Sequence, residues 1–455
     1  MADAVRSLAA FAAGAHVPPP AADVAARAFL DTIGVTLAGA GEPAGRAVQA
    51  VARAEGGEPR CTMLGTPCRT SAALAALANG TAAHALDYDD MCFVSLAHPS
   101  APLVAAALAA GELAGASARR LLEGYVTGFE IEAVLGRALN PRHYQRGWHC
   151  TSTLGTIGAA ACAARVLGLD EEQTARCLAI AASEASGLKE NFGTMTKPLH
   201  AGLAARNGIL AARLAQAGLT ASELAIDGPQ GLLVAMAGER TDLGEAQEQL
   251  GRRWEILETG ITVKLYPSCA GTHPALDALL DLRRQHRFGA DEVAGVDVAV
   301  DAITPTVLIY DRPESGLQGK FSMPFCAAAA LVDGRVGIDT FAPARLRDPR
   351  LQRLMPAVTM HVDPALGRDA PPLTQAIVTV RLRDGRAHVQ IANGARGYPA
   401  RPASREELDG KFLACAERVL TPGAARAALG RLHTPDAVDD IRTLTALTAL
   451  TATTA

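Results

Sequence analysis

Residues 194–218 read TMTKPLHAGLAARNGILAARLAQAG, and this stretch decides which kind of fold the chain can form. Its apolar side chains recur at helical spacing, which predicts a helix over Pro198–Ala217 that ends at Gly218. Most of its residues are small, so a neighbouring helix can pack close to its backbone. Only 4% of the whole chain is aromatic, although 49% is hydrophobic. The sequence therefore predicts a core of tightly packed, small-residue helices.

The same helical pattern recurs on both sides of this stretch, and several of the predicted helices end at a glycine, the residue most common just after a helix C-terminus. The other helices predicted in this part of the chain are Ala21–Gly39, Ser71–Ala85, Pro102–Leu113, Leu121–Leu139, Ser152–Leu167, Glu171–Ser186 and Thr220–Ile226. Near the C-terminus the pattern returns in Arg405–Leu420 and Gly423–Leu432. The low-complexity segment after them, LTALTALTATTA at 444–455, is expected to fray.

A different pattern begins after Tyr266. Alternation of apolar and polar residues, which is typical of strands, predicts strands at Val293–Val300, Val358–Val362, Ala376–Leu382 and Ala387–Ile391. Asp384-Gly385 between the last two favours a tight hairpin turn. Interleaved helices are predicted at His273–Gln285 and Pro324–Leu331. This region is therefore predicted to be α+β.

The length of 455 residues favours two domains over a single core. We predict a mainly α protein with a second α+β domain. Residues 1–265 and 403–455 form the large all-helical domain, and residues 266–402 form the smaller α+β domain.

Composition excludes several classes of function. The formal net charge of −4 provides no basic field of the kind that nucleic-acid binding requires. Nine scattered cysteines without a CxxC pair argue against a disulfide framework or a zinc site and favour a reducing, cytoplasmic location. No apolar run reaches the roughly 18 residues that span a bilayer, and MADAVRSLAAFAAGA at the start is better interpreted as an amphipathic helix than as a signal peptide.

Four segments combine titratable residues with the start of a small-residue helix. They are HALDYDD at 84–90 with HPSAP at 98–102, GWHCTST at 147–153, TMTKPLHAG at 194–202, and KLYPSCAGTHP at 264–274. A helix N-terminus presents unpaired N–H groups and the positive end of a dipole. Lys or His beside it makes an anion site, so carboxylates are natural ligands.

These residues also allow other interpretations. The Asp87, Asp89 and Asp90 cluster is able to bind Mg²⁺ or to cap helices, and the absence of a second carboxylate cluster argues against the metal. His84 and His149 are able to serve as packed core histidines. Lys197 has small or apolar neighbours, which favours a buried role. Cys269 is more typical of a small buried thiol than of a nucleophile.

The segments resemble, in this order and at these separations, the MmgE/PrpD family. FSMPFCAAAAL at 321–331 and DTIGVTLAGA at 31–40 are also similar to family blocks, so the likeness extends from near the N-terminus to about residue 335. The resemblance implies a large helical domain, a smaller α+β lid domain and a homodimer. It further implies a lyase or epimerase that acts beside a carboxylate of a small di- or tricarboxylic acid, with neither metal nor organic cofactor.

The resemblance also implies the site residues. The catalytic set is Asp87, His98, His149, Lys197 and Lys264. The residues expected to line the substrate are His84, Met91, Thr153, His200, Tyr266, Cys269, His273 and Phe325.

Met91 and Phe325 depart from the family, which often carries hydroxyl side chains there. A substrate with fewer polar groups than cis-aconitate is therefore expected.

The shared chemical problem of the family is a carbanion beside a carboxylate. We expect His149 or His98 to transfer the proton, Lys197 and Lys264 to anchor carboxylates, and Asp87 to orient a histidine or lysine. A dehydratase or decarboxylase is the favoured interpretation. An epimerase of a small dicarboxylate such as iminodisuccinate, and a non-catalytic carboxylate-binding protein, are the alternatives.

Overall fold

The computed structural model describes residues 4–239, 241–367 and 374–449. The chain divides into two compact units. One consists of Met1–Val263 together with Ser404–Ala455, and the other consists of Lys264–Ala403.

The first unit is helical, apart from a two-stranded ladder of Cys61–Thr62 with Arg69–Thr70. Its α-helices before the second unit are Ala4–Gly14, Pro19–Ala40, Pro43–Glu55, Ala72–Ala85, Ser100–Ala114, Ala118–Leu139, Arg142–Gln145, Cys150–Leu167, Glu171–Glu184, Thr196–Gln216, Leu232–Ala237, Gly244–Glu248 and Glu255–Glu258. After the second unit the chain returns with Arg405–Ala416, Pro422–Leu432 and Arg442–Thr448.

Glycines set the close approach of two helices that carry the candidate site. A Cβ atom on Gly202 would lie 2.3 Å from the Leu77 carbonyl oxygen, and one on Gly80 would lie 2.9 Å from the Ala201 carbonyl oxygen. Any larger residue would push the helices Ala72–Ala85 and Thr196–Gln216 apart. The small-residue pattern of the sequence therefore brings the end of one helix beside the start of the other.

The second unit is α+β, as predicted. A four-stranded sheet has the order Val358–Val362, Val293–Val300, Ala376–Leu382, Ala387–Ala392, with the first pair parallel and the other two pairs antiparallel. Its α-helices are His273–His286, Gly316–Gly319, Met323–Asp333, Pro343–Leu346 and Pro349–Leu354. Gly385 has a φ of 89° in the hairpin turn, a conformation that glycine adopts without strain.

The core of this unit lies where the sheet meets two of its helices. Alternate strand residues such as Val296, Val298 and Val378 are fully buried there, together with the apolar faces of His273–His286 and Met323–Asp333. The sheet is thus covered by helices that the sequence placed correctly.

Two local predictions are wrong. Thr220–Ile226 forms turns because the Ser222 hydroxyl accepts the Leu224 N–H, a local bond that competes with the helical ladder. The first part of 444–455 does not fray, because helix Arg442–Thr448 buries Leu444 and Thr445. Residues 450–455 lie outside the described residues.

Within the described ranges, one straight helix, Cys150–Leu167, is long and apolar enough to cross a membrane. However, 89% of it is buried inside the fold, and core helices of globular proteins pass the same test. The pair Pro19–Ala40 and Pro43–Glu55 passes only together, across a bend of 81°.

Candidate active site

A cluster of buried histidines and carboxylates lies in the helical unit, where the helix Ala72–Ala85 ends. His84 lies in the last turn of that helix, and its Nδ1 is 2.8 Å from Oδ2 of Asp89. Nδ1 of His98 lies 3.5 Å from the same carboxylate oxygen, and the two imidazole centroids are 4.5 Å apart. Asp89 therefore holds the His84 ring by a hydrogen bond and lies beside the His98 ring.

A buried ion pair faces this histidine pair. Lys197 Nζ lies 2.5 Å from Oδ1 of Asp87, and both side chains are 5% exposed. Lys197 comes from the first turn of helix Thr196–Gln216. Nε2 of His98 is 3.9 Å from the same Asp87 oxygen. Asp87 thus lies between the lysine and the His98 ring, and the orienting role expected for it stays a prediction.

His149 and His200 form a second histidine pair. Their Nδ1 atoms are 2.9 Å apart, so one ring donates and the other accepts. His149 directly precedes the helix Cys150–Leu167, and its ring lies 5.8 Å from that of His84. The edge of Phe192 packs against the His149 ring at 5.0 Å between centroids. His200 and Phe192 therefore hold the His149 ring in place.

Both members of this pair are held neutral. Burial lowers the pKa of His149 well below its ordinary value, and the charge of Lys197 lowers it further. Burial likewise lowers the pKa of His200 to about 4. A neutral imidazole carries an unprotonated ring nitrogen, which is the form that is able to accept a proton.

Two further buried carboxyl groups, those of Asp90 and Glu132, lie near this cluster. Asp90 accepts hydrogen bonds from the N–H and hydroxyl of Ser100, and that hydroxyl lies 2.6 Å from the Tyr125 hydroxyl. Burial raises the pKa of the Asp90 carboxyl to about 8 and that of Glu132 well above its ordinary value. Asp90 is thus a buried acid that the protein keeps protonated near neutral pH.

The described residues include one group able to ligate a metal ion. His84, Asp87, Asp89 and His98 each offer one ligand atom, and these atoms lie within 4.8 Å of one another. The sequence argument against a metal was incomplete, because histidines supply the ligands that a second carboxylate cluster did not. A metal ion would compete with a lysine at this group, however, because the Lys197 ammonium already forms an ion pair with Asp87.

Other predicted residues of the helical unit have structural partners. Thr153 is fully buried and its hydroxyl lies 2.7 Å from Nε2 of His143. Met91 is half-buried, and its backbone pairs with Thr262. The role of each toward a substrate stays a prediction.

In the α+β unit, Lys264 is fully buried and Cys269 is half-buried. The Tyr266 hydroxyl donates to Asp277 at 2.5 Å and accepts from Arg396 at 3.1 Å. The ring of His273 meets that of Tyr266 edge to face.

Phe325 is also fully buried in the α+β unit, and its ring packs against Phe341. The catalytic and substrate-binding roles of these residues of the α+β unit stay predictions from the resemblance.

Sequence reasoning missed two parts of the cluster. The sequence places Asp89 in an acidic cluster but does not identify it as a neighbour of His84 and His98. Phe192 lies outside the four segments, two residues before Thr194 of the third one. An apolar ring in a polar connector was the available signal.

Two family models match the chain. The MmgE/PrpD N-terminal domain matches residues 6–243, and the MmgE/PrpD C-terminal domain matches residues 266–431. Together with the cis-aconitate decarboxylases to which the chain is similar, these matches identify an enzyme of the lyase class. The chain belongs to the MmgE/PrpD family.

Curated relatives align over almost the whole chain. The chain is 27% identical over 437 residues to the cis-aconitate decarboxylase of Mus musculus, covering 92% of this chain and 87% of that protein. It is 26% identical to the cis-aconitate decarboxylase of Homo sapiens, with coverage of 92% and 88%. A cis-aconitate decarboxylase-like protein of Aspergillus oryzae is 28% identical, with coverage of 88% and 87%.

Proposed function

We propose that this protein is a lyase that removes carbon dioxide or water from a small di- or tricarboxylic acid, without a cofactor. The observation that carries the proposal is the neutral His149–His200 pair in the same buried cluster as the Lys197–Asp87 ion pair. A buried cation stabilises the negative charge that develops beside a carboxylate, and a neutral imidazole accepts a proton there.

The two histidines have different tasks in this proposal. His149 is the proton acceptor, because burial and Lys197 keep it neutral. His98 is the proton donor in this proposal, because its ring lies on the side of the cluster where Asp87 and Asp89 are 3.9 and 3.5 Å from its nitrogens.

Each reaction balances with these groups. In a dehydration, His149 takes the proton from the carbon beside the carboxylate, an enolate forms, and the C–O bond breaks as His98 protonates the leaving hydroxyl. In a decarboxylation, the C–C bond to the leaving carboxylate breaks and its electron pair is delocalised toward a remaining carboxylate. His98 then protonates the carbon.

The names of the relatives make unsaturated tricarboxylic acids the first substrates to test. Purified protein is incubated with cis-aconitate and with related hydroxy and unsaturated acids, and the products are followed by NMR and by carbon dioxide release. Release of carbon dioxide or water from one acid supports the proposal. Exchange of stereoisomers without either loss would make the protein an epimerase, and binding without turnover would make it a carboxylate-binding protein.

The assembly and location belong to the same proposal. We expect a homodimer, which light scattering would detect as twice the chain mass of 47.0 kDa. A monomer mass would contradict it. The nine unpaired cysteines fit a reducing, cytoplasmic location.

A further inference from the structure

The turn that carries Asp87 and Asp89 needs external support. Asp87 has a φ of 51°, in the left-handed region, where residues other than glycine are uncommon. Such a conformation persists only when its surroundings hold it. His84 is hydrogen-bonded to Asp89, and Ser100 is hydrogen-bonded to Asp90. Tyr88, which lies between Asp87 and Asp89, is held by a different part of the chain.

Lys411 holds Tyr88 from a distant part of the sequence. Its Nζ donates to the Tyr88 carbonyl oxygen at 2.8 Å and lies 4.0 Å from the centroid of the Tyr88 ring. The same Nζ forms an ion pair with Oδ1 of Asp31 at 2.7 Å. The Lys411 and Asp31 side chains are 3% and 0% exposed. Three elements of the helical unit therefore meet at one buried ammonium group.

Docking of the helix Arg405–Ala416 does not require this charge. A Cβ atom on Gly34 would lie 3.1 Å from Cα of Phe412, so the helix already packs closely on Pro19–Ala40 through apolar contact. A buried ion pair carries a large desolvation penalty, and apolar residues of similar volume often stabilise a fold as well or better. What an apolar residue is unable to do is to bind the Tyr88 carbonyl.

We propose that Lys411 is a positioning residue of the active site. Together with Asp31 it fixes the Tyr88 carbonyl, and through the turn it fixes the carboxylates of Asp87 and Asp89 that orient Lys197 and the histidines. The chain thereby uses its returning C-terminal helix to set the geometry of a site built from its N-terminal part. The catalytic consequence rests on the proposed function, whereas the contacts do not.

The test compares Lys411→Met with the control Thr445→Val. Thr445 lies in the same returning segment, and its hydroxyl donates to the buried Glu112 at 2.7 Å, with no contact to the turn at 86–90 among those described. Both variants lose a buried polar contact of the C-terminal segment. Lys411→Met should lower kcat by about 10- to 100-fold with little change in KM, because a small misplacement of catalytic groups has effects of this size. Thr445→Val should leave kcat unchanged.

A second measurement keeps the inference separate from the proposed function. Ring-nitrogen NMR signals of His84 and His98, assigned through single His→Gln variants, should shift in Lys411→Met and stay in place in Thr445→Val. This readout needs no turnover, so it decides the positioning role even when no substrate is found. If Lys411→Met does not fold, Asp31→Asn/Lys411→Met, which removes both charges together with the donor to the Tyr88 carbonyl, takes its place. Unchanged histidine signals, or equal kcat in Lys411→Met and Thr445→Val, would overturn the inference.

Discussion

Replacement of His149 by Asn separates its chemistry from its packing. In the parent protein the Nδ1 atoms of His149 and His200 are 2.9 Å apart. The Asn amide takes the place of Nδ1 and is able to keep this hydrogen bond, whereas Nε2, the atom that would take the proton, is lost. We expect kcat to fall by about 10²–10⁴-fold, the usual contribution of a general base, which corresponds to about 2.7–5.4 kcal/mol in activation free energy. The assay is the formation of alkene from the acid of the panel that loses water fastest, because the dehydration is the reaction in which His149 takes the proton.

His200→Asn is the matched variant. It also keeps a hydrogen bond across the pair, but it leaves the His149 ring intact. The expected loss is about fivefold or less, because a neutral hydrogen bond contributes about 1 kcal/mol. The reasoning is refuted when His149→Asn, folded by thermal melting, retains kcat within the range of His200→Asn.

The pH profile tests the same residue. The pKa of His149 is lowered by burial and by Lys197, so its protonated, inactive form accumulates only below the ordinary value of about 6.5. The acid limb of kcat/KM should therefore lie below that value. In Lys197→Met it should move upward, because the repelling charge is gone.

Four further outcomes are expected. Lys197→Met should lower kcat/KM by about 10²–10³-fold, whereas Lys189→Met, which removes a half-buried lysine that donates to the Tyr144 carbonyl, should not. Asp90→Asn should gain thermal stability relative to the parent as pH rises from about 4 toward about 8. In this range the folded parent keeps the Asp90 proton, because burial raises its pKa to about 8, whereas the unfolded parent releases it, so the parent loses folding stability and the variant does not. Met91→Thr should shift relative kcat/KM toward the more polar acid by about tenfold, measured across the panel. Exhaustive EDTA treatment should leave kcat unchanged; loss that Mg²⁺, Zn²⁺ or iron restores would assign the His84 cluster to a metal.

The helix-rich first part was predictable because its small residues have one clear periodicity. Helix Thr196–Gln216 follows directly from its apolar spacing, and the Asp384-Gly385 turn locates the hairpin of the α+β unit. The error at Thr220–Ile226 has a local cause, since a serine side chain competed for the backbone. The error in the C-terminal tail has a tertiary cause, because Glu112 binds Thr445 from 333 positions away.

The site was predictable only in part. His149 and Lys197 precede or begin small-residue helices, and that placement is visible in the sequence. Their partners are not, because His200 reaches His149 only once two helices have packed. Lys411 lies in REELDGKFLACA, where nothing in the local pattern distinguishes it from a surface lysine. Its contact with Tyr88 spans 323 positions and exists only in the folded chain.

The central claim is that the buried histidine–lysine cluster drives loss of carbon dioxide or water from a small carboxylic acid, with His98 as the proton donor in both reactions and His149 as the proton acceptor in a dehydration. The most direct measurement is NMR of the purified protein, of His98→Asn and of His149→Asn with a ¹³C-labelled panel of di- and tricarboxylic acids in D₂O. We predict that one acid loses ¹³C-labelled carbon dioxide or water in the parent protein and that deuterium enters any carbon reprotonated during decarboxylation. Either loss should almost vanish in His98→Asn, and a loss of water should almost vanish in His149→Asn as well. Turnover of no acid, exchange of stereoisomers alone, or turnover in His98→Asn equal to that of the parent would contradict the claim.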